Sequence, residues 1–187
     1  TNGEELLSMN NRTAPFDDPR VRRAVAYGVD RAAANDILWC GRARDTGGAP
    51  VPPTDPWFSG QDYYPFDPDR ARALMEEAGA VGTPLTVTVP SLPYAQTLSE
   101  FLYSQLHDIG FDVTLETAEF PAVWLSQVMG AKDYQMSLVA HVEPRDIPTI
   151  FGNPDYYIGY DSQHARTLLQ QDDMRGAVDQ IMTDMPA

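Results

Sequence analysis

The sequence predicts an α/β fold in which a mostly parallel sheet is flanked by helices. Two segments with the alternation of β-strands, residues 85–89 and 111–117, lie on either side of a long helical segment with one apolar face. Strand–helix–strand units this compact pair their strands in parallel through a right-handed crossover. Because 43% of the 187 residues are hydrophobic, the chain can also fill the core of one domain.

The N-terminal part predicts one strand and two capped helices. Residues 5–10 are typical of a short strand. Asp18 is placed to cap a helix whose first position is Pro19, and Asp30 is placed to cap a second helix over residues 32–38. The first helix turns one small or apolar face inward, formed by Val21, Ala24, Val25 and Gly28.

The rest of the chain alternates between helices and strands. An Asp-Pro pair opens a helix at Pro68 that ends at Gly79, and Gly110 ends the long helix between the two strands. The segments predicted after Gly79 are strand 85–89, helix 94–109, strand 111–117, helix 121–129, strand 134–142, and helices 164–170 and 174–182.

Residues 45–68 show neither the two-residue alternation of a strand nor the 3.6-residue period of a helix. Six prolines and five aromatic residues predict an ordered but irregular loop, and long loops of this kind are functional or packed tightly on a neighbour. Rigid aromatic rings on a loop favour recognition of a ligand. Trp57 and Phe58 are therefore candidate wall residues of a binding site within residues 50–66, with packing of the same rings on the core as the alternative.

The charge distribution disfavours nucleic acid and anionic membranes as partners. The chain has 27 acidic side chains against 13 Lys and Arg, which gives a formal net charge of −14. The densest basic segment, residues 14–31, is interpreted as structural, because acids stand close enough to form exposed ion pairs with its arginines. These arginines are Arg20, Arg22, Arg23 and Arg31, and the acids are Asp17, Asp18 and Asp30.

Catalytic and metal chemistry have little support in the sequence. Cys40 is the only cysteine, which excludes an internal disulfide, and the three histidines lie in separate predicted elements. The spacings typical of a zinc site, a phosphate-binding glycine loop or a G-x-S-x-G nucleophile do not occur. We therefore expect no catalytic residue, no metal and no cofactor.

A second binding hypothesis concerns "AHVEPRDIP", residues 140–148, which follow the last predicted strand. Ligands of open α/β sheets collect beyond the carboxyl ends of the strands. His141 and Glu143 are therefore candidate ligand contacts, and Arg145 and Asp146 are candidate contacts or supports of the loop. A solvated surface turn with alternating charges is the alternative.

Several segments, taken in order, resemble one family. "MNNRTAPFDDPRVRRAVAYGVDR" resembles the signature of the family 5 extracellular solute-binding proteins, the dipeptide, oligopeptide and nickel binders of ABC importers. Four further segments are similar to segments of that family in the same order: "FDPDRARALMEEAG", "LSEFLYSQLHDIGFDVTLE", "KDYQMSLVAHVEPRDIPTIF" and "IMTDMPA". The resemblance covers nearly the whole chain.

This resemblance implies a periplasmic-binding-protein-like lobe. Residues 1–187 would form a single, C-terminal-like lobe of a larger two-lobe solute-binding protein, truncated at both ends. The implied function is that of the substrate-binding component of an ABC importer, which captures a small solute such as an oligopeptide or dipeptide and presents it to the ABC permease after hinge closure. The implied protein is a monomer and not an enzyme. It would work outside the cytoplasm, in the periplasm or at the cell surface, with a lipid anchor in its full-length form.

Alternatives remain open at the ligand loop. Peptide binders of the family have a tryptophan about where His141 stands and then an aspartate, for which Glu143 is the nearest acid here, so nickel or another non-peptide solute is an alternative ligand. A small α/β hydrolase would instead use His141 with Glu143. A pure interaction module would dock on a protein partner through residues 50–66.

Overall fold

The computed structural model describes residues 4–141 and 147–185. In these ranges four strands form one sheet: β1 (Glu4–Met9), β2 (Pro84–Pro90), β3 (Asp112–Ala118) and β4 (Met136–His141). Their order across the sheet is β1-β4-β2-β3. β2 pairs in parallel with both β3 and β4, whereas β1 lies antiparallel to β4 at the edge. The predicted α/β fold with a mostly parallel sheet is confirmed.

The helices begin where the sequence places caps. α1 (Pro19–Gly28) follows Asp18 and α2 (Arg31–Trp39) follows Asp30, and each aspartate accepts a hydrogen bond from an amide of the first turn. The other helices that the structure describes are α3 (Pro68–Glu77), α4 (Pro93–Asp108), α5 (Ala122–Trp124), α6 (Ile147–Phe151), α7 (Gln163–Gln170) and α8 (Met174–Asp184). None of these helices is long and apolar enough to cross a membrane.

Two short helical segments differ from the prediction. The helix predicted over residues 121–129 is one α-helical turn, α5, that continues as a π-helix over Leu125–Gly130. α6 is not predicted at all, because its five residues are too few to display a helical period. The other strands and helices lie within two residues of their predicted bounds.

Side chains on both faces of the sheet contribute to the core. Trp124 of α5 donates a hydrogen bond to the Ser137 hydroxyl on one face, and the neighbouring Met136 and Leu138 point to the opposite face by the two-residue period. Gly28 is buried at the end of α1, where an added Cβ would lie 2.8 Å from a side-chain carbon of Ile109. This close approach explains why a glycine belongs to the inward face predicted for α1.

The prediction that the arginines of residues 14–31 pair with nearby acids is wrong for three of the four. Arg20 does pair with Asp18, at 2.6 Å. Arg22 is only 8% exposed and donates instead to the backbone carbonyls of Phe16, Asp184 and Met185. The other two also reach outside the segment, Arg23 to the Thr183 carbonyl and Arg31 to Asp45, Asp62 and the Tyr64 carbonyl. The segment is structural, as expected, but it binds α8 and the loop rather than its own acids.

Candidate ligand-binding site

The sheet opens at the carboxyl ends of its two central strands. β2 and β4 pair only at Val87–Met136 and Thr88–Ser137, so the ladder between them ends before the last residues of either strand. Tyr94, in the first turn of α4, fills the gap, and its hydroxyl accepts a hydrogen bond from the Ala140 amide at 3.0 Å. The carboxyl ends of the strands are where ligands of open α/β sheets bind.

His141, the last residue of β4, lies at this crevice and is held by the fold. Its Nε2 lies 2.8 Å from the Tyr157 hydroxyl, which lies 2.9 Å from the Ser8 hydroxyl. The His141 and Tyr157 rings are stacked, with centroids 6.0 Å apart and an interplanar angle of 16°. Tyr157 and Ser8 are buried, whereas His141 is half-buried. The orientation of the imidazole is therefore fixed by a hydrogen-bonded chain that leads into the core.

Glu5 lies on the other face of the same sheet edge. It is opposite Ala140 in the antiparallel pair of β1 and β4, beside Tyr94. Burial raises the pKa of Glu5, because a charged carboxylate loses hydration there. The pKa of Tyr94 is also raised, first by burial and in addition by the charge of Glu5. Glu5 and Tyr94 therefore form a polar end of an otherwise apolar region.

A cavity of about 980 Å³ extends from this polar end along β1. One wall is β1 itself, with Glu5 and Leu7, and the opposite wall is the outer part of α2, with Leu38 and Trp39. Residues 42–54, which follow α2, complete the rim. α2 has no buried residue, and Ile37 and Trp39 are about half exposed. Ala34 and Leu38 attach this helix to the core and also line the cavity.

The segment after α2 is held in place by two side chains of α2. The Asn35 side chain donates to the Ala43 carbonyl at 2.9 Å and accepts from the Ala43 amide at 3.0 Å. Arg31 joins three parts of the loop, because its guanidinium contacts Asp45, Asp62 and the Tyr64 carbonyl. The loop is therefore ordered at the rim of the cavity.

Gly47 permits the close approach of the two sides of this loop. Its φ of +66° favours glycine, and an added Cβ would lie 2.2 Å from the Gln61 carbonyl oxygen. The Gly47 carbonyl accepts from the Tyr63 amide at 3.2 Å, and the residues on either side bury Ala49, Val51 and Tyr64 in the core.

The structure brings only part of the predicted site together. His141 lies at the end of β4 on the sheet face opposite Glu5 and does not line the cavity, while Glu143, Arg145 and Asp146 lie outside the described residues. Trp57 and Phe58 pack against the core and neither lines the cavity. Their part of the loop faces α8, to which it is tied by a hydrogen bond from Arg175 to the Pro56 carbonyl and by one from Tyr63 to Asp179.

The residues that line the cavity are not among the sequence-based candidates, and the polar ones include Glu5, Arg42, Arg44 and Tyr94. Tyr94 could have been found, because it follows the carboxyl end of a predicted strand, the same position that makes residues 140–148 a candidate. Glu5 and the two arginines carry no such signal. Their contribution depends on how α2 is placed over the edge of the sheet.

The described residues do not suggest a metal or nucleophile site. In residues 4–141 and 147–185, no three His, Cys, Asp or Glu side chains come together in a way that could hold a metal ion. Cys40 is exposed at the end of α2. The Ser8 hydroxyl that ends the hydrogen-bonded chain from His141 is fully buried, so a substrate cannot reach it. The arrangement is suited to holding a solute by polar ends and apolar walls.

The comparisons with known proteins agree with this geometry. The model of the family described as "Bacterial extracellular solute-binding proteins, family 5 Middle" matches residues 1–157. The chain belongs to this family. Family 5 chains of similar sequence include a "Di/tripeptide-binding protein 2" from Pseudomonas aeruginosa, 35% identical over 122 residues, and the "Glutathione-binding protein GsiB" of Escherichia coli strain K12, 33% identical over 109 residues.

Solved structures show the same lobe. The periplasmic binding protein DppA from Helicobacter pylori, in complex with the peptide STSA, superimposes with a TM-score of 0.84 at 21% identity, over 99% of this chain and 40% of that one. The oligopeptide-binding protein AppA from Bacillus subtilis, in complex with a nonapeptide, gives a TM-score of 0.87 at 16% identity, over 99% and 44%. At these identities the likeness shows the fold, which is that of a periplasmic-binding-protein lobe.

The chain is shorter than its relatives. The aligned segments cover 60% of this chain but 22% of the Pseudomonas protein, and 57% of this chain but 21% of GsiB. The family and the fold are thus those of binding proteins, of which this chain represents one part.

Proposed function

We propose that this chain is one lobe of the substrate-binding component of an ABC importer, which captures a small solute such as an oligopeptide or dipeptide. The observation that carries the proposal is the open cavity that runs along β1 from Ala140 and Tyr94, in a chain of family 5. One side of a solute would lie on this lobe, and a second lobe would cover the other side. Hinge closure then follows from the higher affinity of the solute for the closed form.

The same proposal includes the cellular setting. The complete protein works outside the cytoplasm as a monomer, is attached by a lipid anchor, and presents the closed form to an ABC permease. Support comes from the family description and from relatives named for dipeptide, tripeptide and glutathione binding. In this setting His141 does not line the cavity but contacts the part of the solute that extends past the carboxyl end of β4, and Glu143, Arg145 and Asp146 follow it in the sequence. Trp57 and Phe58 take no part in our proposed site, because they pack against the core and do not line the cavity.

The hydrolase alternative is less well supported. A histidine that activates a nucleophile needs that group within hydrogen-bond reach and accessible to substrate. The Nε2 atom of His141 already contacts Tyr157, and the hydroxyl beyond it is the buried Ser8. Both groups serve to orient the imidazole.

Calorimetry on the full-length protein tests the proposal. The panel comprises dipeptides, tripeptides, a longer peptide, glutathione and Ni²⁺, with small-angle scattering of the free and the bound protein and mass spectrometry of the recovered ligand. We expect at least one solute to bind, to be recovered intact, and to reduce the radius of gyration. Binding of no solute would contradict the proposal, and recovery of a cleaved peptide would favour the hydrolase.

A further inference from the structure

We propose that Arg42 and Arg44 form the anion-recognising side of the cavity and select solutes that carry a carboxylate group. This inference rests on the proposed function, because it assigns a ligand chemistry to the same cavity. It concerns two residues that neither the family match nor the sequence patterns single out.

The first observation is the contacts of the basic side chains. In residues 4–141 and 147–185, the guanidinium groups of nearly all arginines donate to carboxylates or backbone carbonyls, and that of Arg70 lies over the Tyr27 ring. Arg42 and Arg44 are the exceptions among these described arginines: both are exposed, and both line the cavity. Their donors remain available to a bound solute.

The second observation is the way the backbone presents these two residues. Ala43, between them, is held by both hydrogen bonds of the Asn35 amide, and the following Asp45 is held by Arg31 at 2.9 Å. These hydrogen bonds hold residues 43 and 45 in place, whereas the side chains of Arg42 and Arg44 take no part in them. An ordered backbone with uncommitted side chains lowers the entropy that a ligand must remove on binding.

The third observation is the electrostatic contrast across the cavity. Glu5 of β1 also lines the cavity, and the Tyr94 hydroxyl accepts from Ala140 with its own proton still available for donation. Asp45, which lines the cavity too, is paired with Arg31. A protein with a net charge of −14 repels anions in general, so a solute carboxylate needs a local positive site. Arginine suits this role because its planar donors match both oxygens of a carboxylate.

Together these features define the class of solute. Its carboxylate contacts Arg42 and Arg44, its apolar part lies along Leu7 and Leu38, and a hydrogen-bond donor or cationic group faces Glu5. A short peptide with a free carboxyl terminus has this chemistry, and its carboxyl-terminal amide lacks only the charge at the arginine side.

The test compares free acids with amides on full-length protein. Ala-Ala and Ala-Ala-Ala, each with its carboxyl-terminal amide, are titrated by calorimetry into the wild type, Arg42→Gln, Arg44→Gln and the double variant. The control is Arg72→Gln with Lys132→Gln, which removes the same charge at one exposed and one half-buried position that do not line the cavity. Thermal unfolding verifies that every variant is folded.

We expect the double substitution to weaken binding of the free acid about tenfold or more, since each hydrogen bond to a charged group contributes on this scale. The amides should bind the wild type and the double variant equally, and the control variant should behave as the wild type. Equal losses for acid and amide, or no loss, would overturn the inference and leave the proposed function intact. A wild-type protein that binds none of these probes or the wider panel would overturn the proposed function and this inference with it.

Discussion

The arginines of α1 and those that follow α2 lie about 20 residues apart in the sequence, yet they make opposite kinds of contact. Arg22 is buried and its donors are taken up by three carbonyls, two of them at the end of α8. Burial lowers the pKa of Arg22, because the charge is only partly compensated by Asp184 and Asp18. Arg42 and Arg44 are exposed at a cavity, and their guanidinium groups form no hydrogen bond or ion pair among the described residues.

The difference separates a structural arginine from a recognition arginine. A helix leaves its last carbonyls without partners, so a donor from elsewhere in the chain stabilises the end of α8. Arg42 and Arg44 line a cavity instead, and within the described residues their guanidinium groups make no such bond. A high density of arginines in the sequence does not by itself indicate a binding function. Whether their guanidinium donors already have hydrogen-bond partners is the better indicator.

The largest effect is expected when the structural arginine is removed. Arg22→Met keeps the length of the side chain but leaves three carbonyls without their donor, so the free energy of unfolding should fall by about 3 kcal/mol. Urea unfolding measures the loss, with Arg20→Met as the exposed control that changes little. Solute affinity of the folded variant should be unchanged, and a specific loss of affinity without loss of stability would break the comparison.

The loop that presents Arg42 and Arg44 depends on Gly47. Gly47→Ala introduces a Cβ 2.2 Å from the Gln61 carbonyl at a positive φ, so we expect a loss of about 2 kcal/mol in unfolding free energy together with weaker solute binding. The control is Gly79→Ala, which has a φ of +64° with no atom within 4 Å of the added carbon. At position 79 the positive φ destabilises the alanine variant, without a steric clash. Equal effects of the two substitutions would contradict the role of close approach.

Arg31 connects the two regions, since it belongs to the basic segment and holds the loop. Arg31→Gln should cost about 1 kcal/mol of unfolding free energy and should weaken solute binding by misplacing residues 42–46. Arg166→Gln is a matched control, because both side chains form ion pairs with about a quarter of their surface exposed, 25% and 23%. The control should lose similar stability without loss of affinity. Limited proteolysis of residues 42–46 would report the loosened loop.

The smallest effect concerns the acidic end of the cavity. Burial raises the pKa of Glu5 above its ordinary value of 4.5, so the folded protein holds this proton more tightly than the unfolded chain does. As the pH rises from 4.5 through the folded pKa, the unfolded chain loses its proton first and the free energy of unfolding falls. Glu5→Gln should therefore be slightly more stable than the wild type at pH 7 and equal to it below 4.5. If Glu5→Gln is less stable than the wild type at pH 7, the folded protein favours the charged carboxylate of Glu5, and the prediction is wrong.

The sequence predicts the fold well because its signals are local. Asp18 and Asp30 cap helices wherever they precede one, and the alternation of residues 85–89 needs no knowledge of the neighbouring strands. The same is true of Gly28, whose place on an apolar helical face follows from the period. Local signals also supply the family resemblance, which the family match confirms.

The candidate site is harder to predict because it is assembled from distant segments. Arg22 and Arg31 have acids nearby in sequence, but their observed partners lie up to 163 residues away. Aromatic content selects Trp57 and Phe58, which are half-buried and pack against the core, so aromatic content alone does not separate a ligand wall from core packing. A binding role for Arg42 and Arg44 becomes apparent only in the structure, where they line the same cavity as β1.

Hydrogen exchange of the full-length protein, with and without its bound solute, tests the location of the site most directly. Our account predicts that the solute slows exchange in residues 5–7, 42–46 and 91–94, which surround the cavity and the crevice between β2 and β4. Residues 57–63 and the first part of α8, residues 174–180, do not line the cavity and should be unaffected. Protection confined to residues 57–63 and 174–180, with unchanged exchange around the cavity, would contradict it.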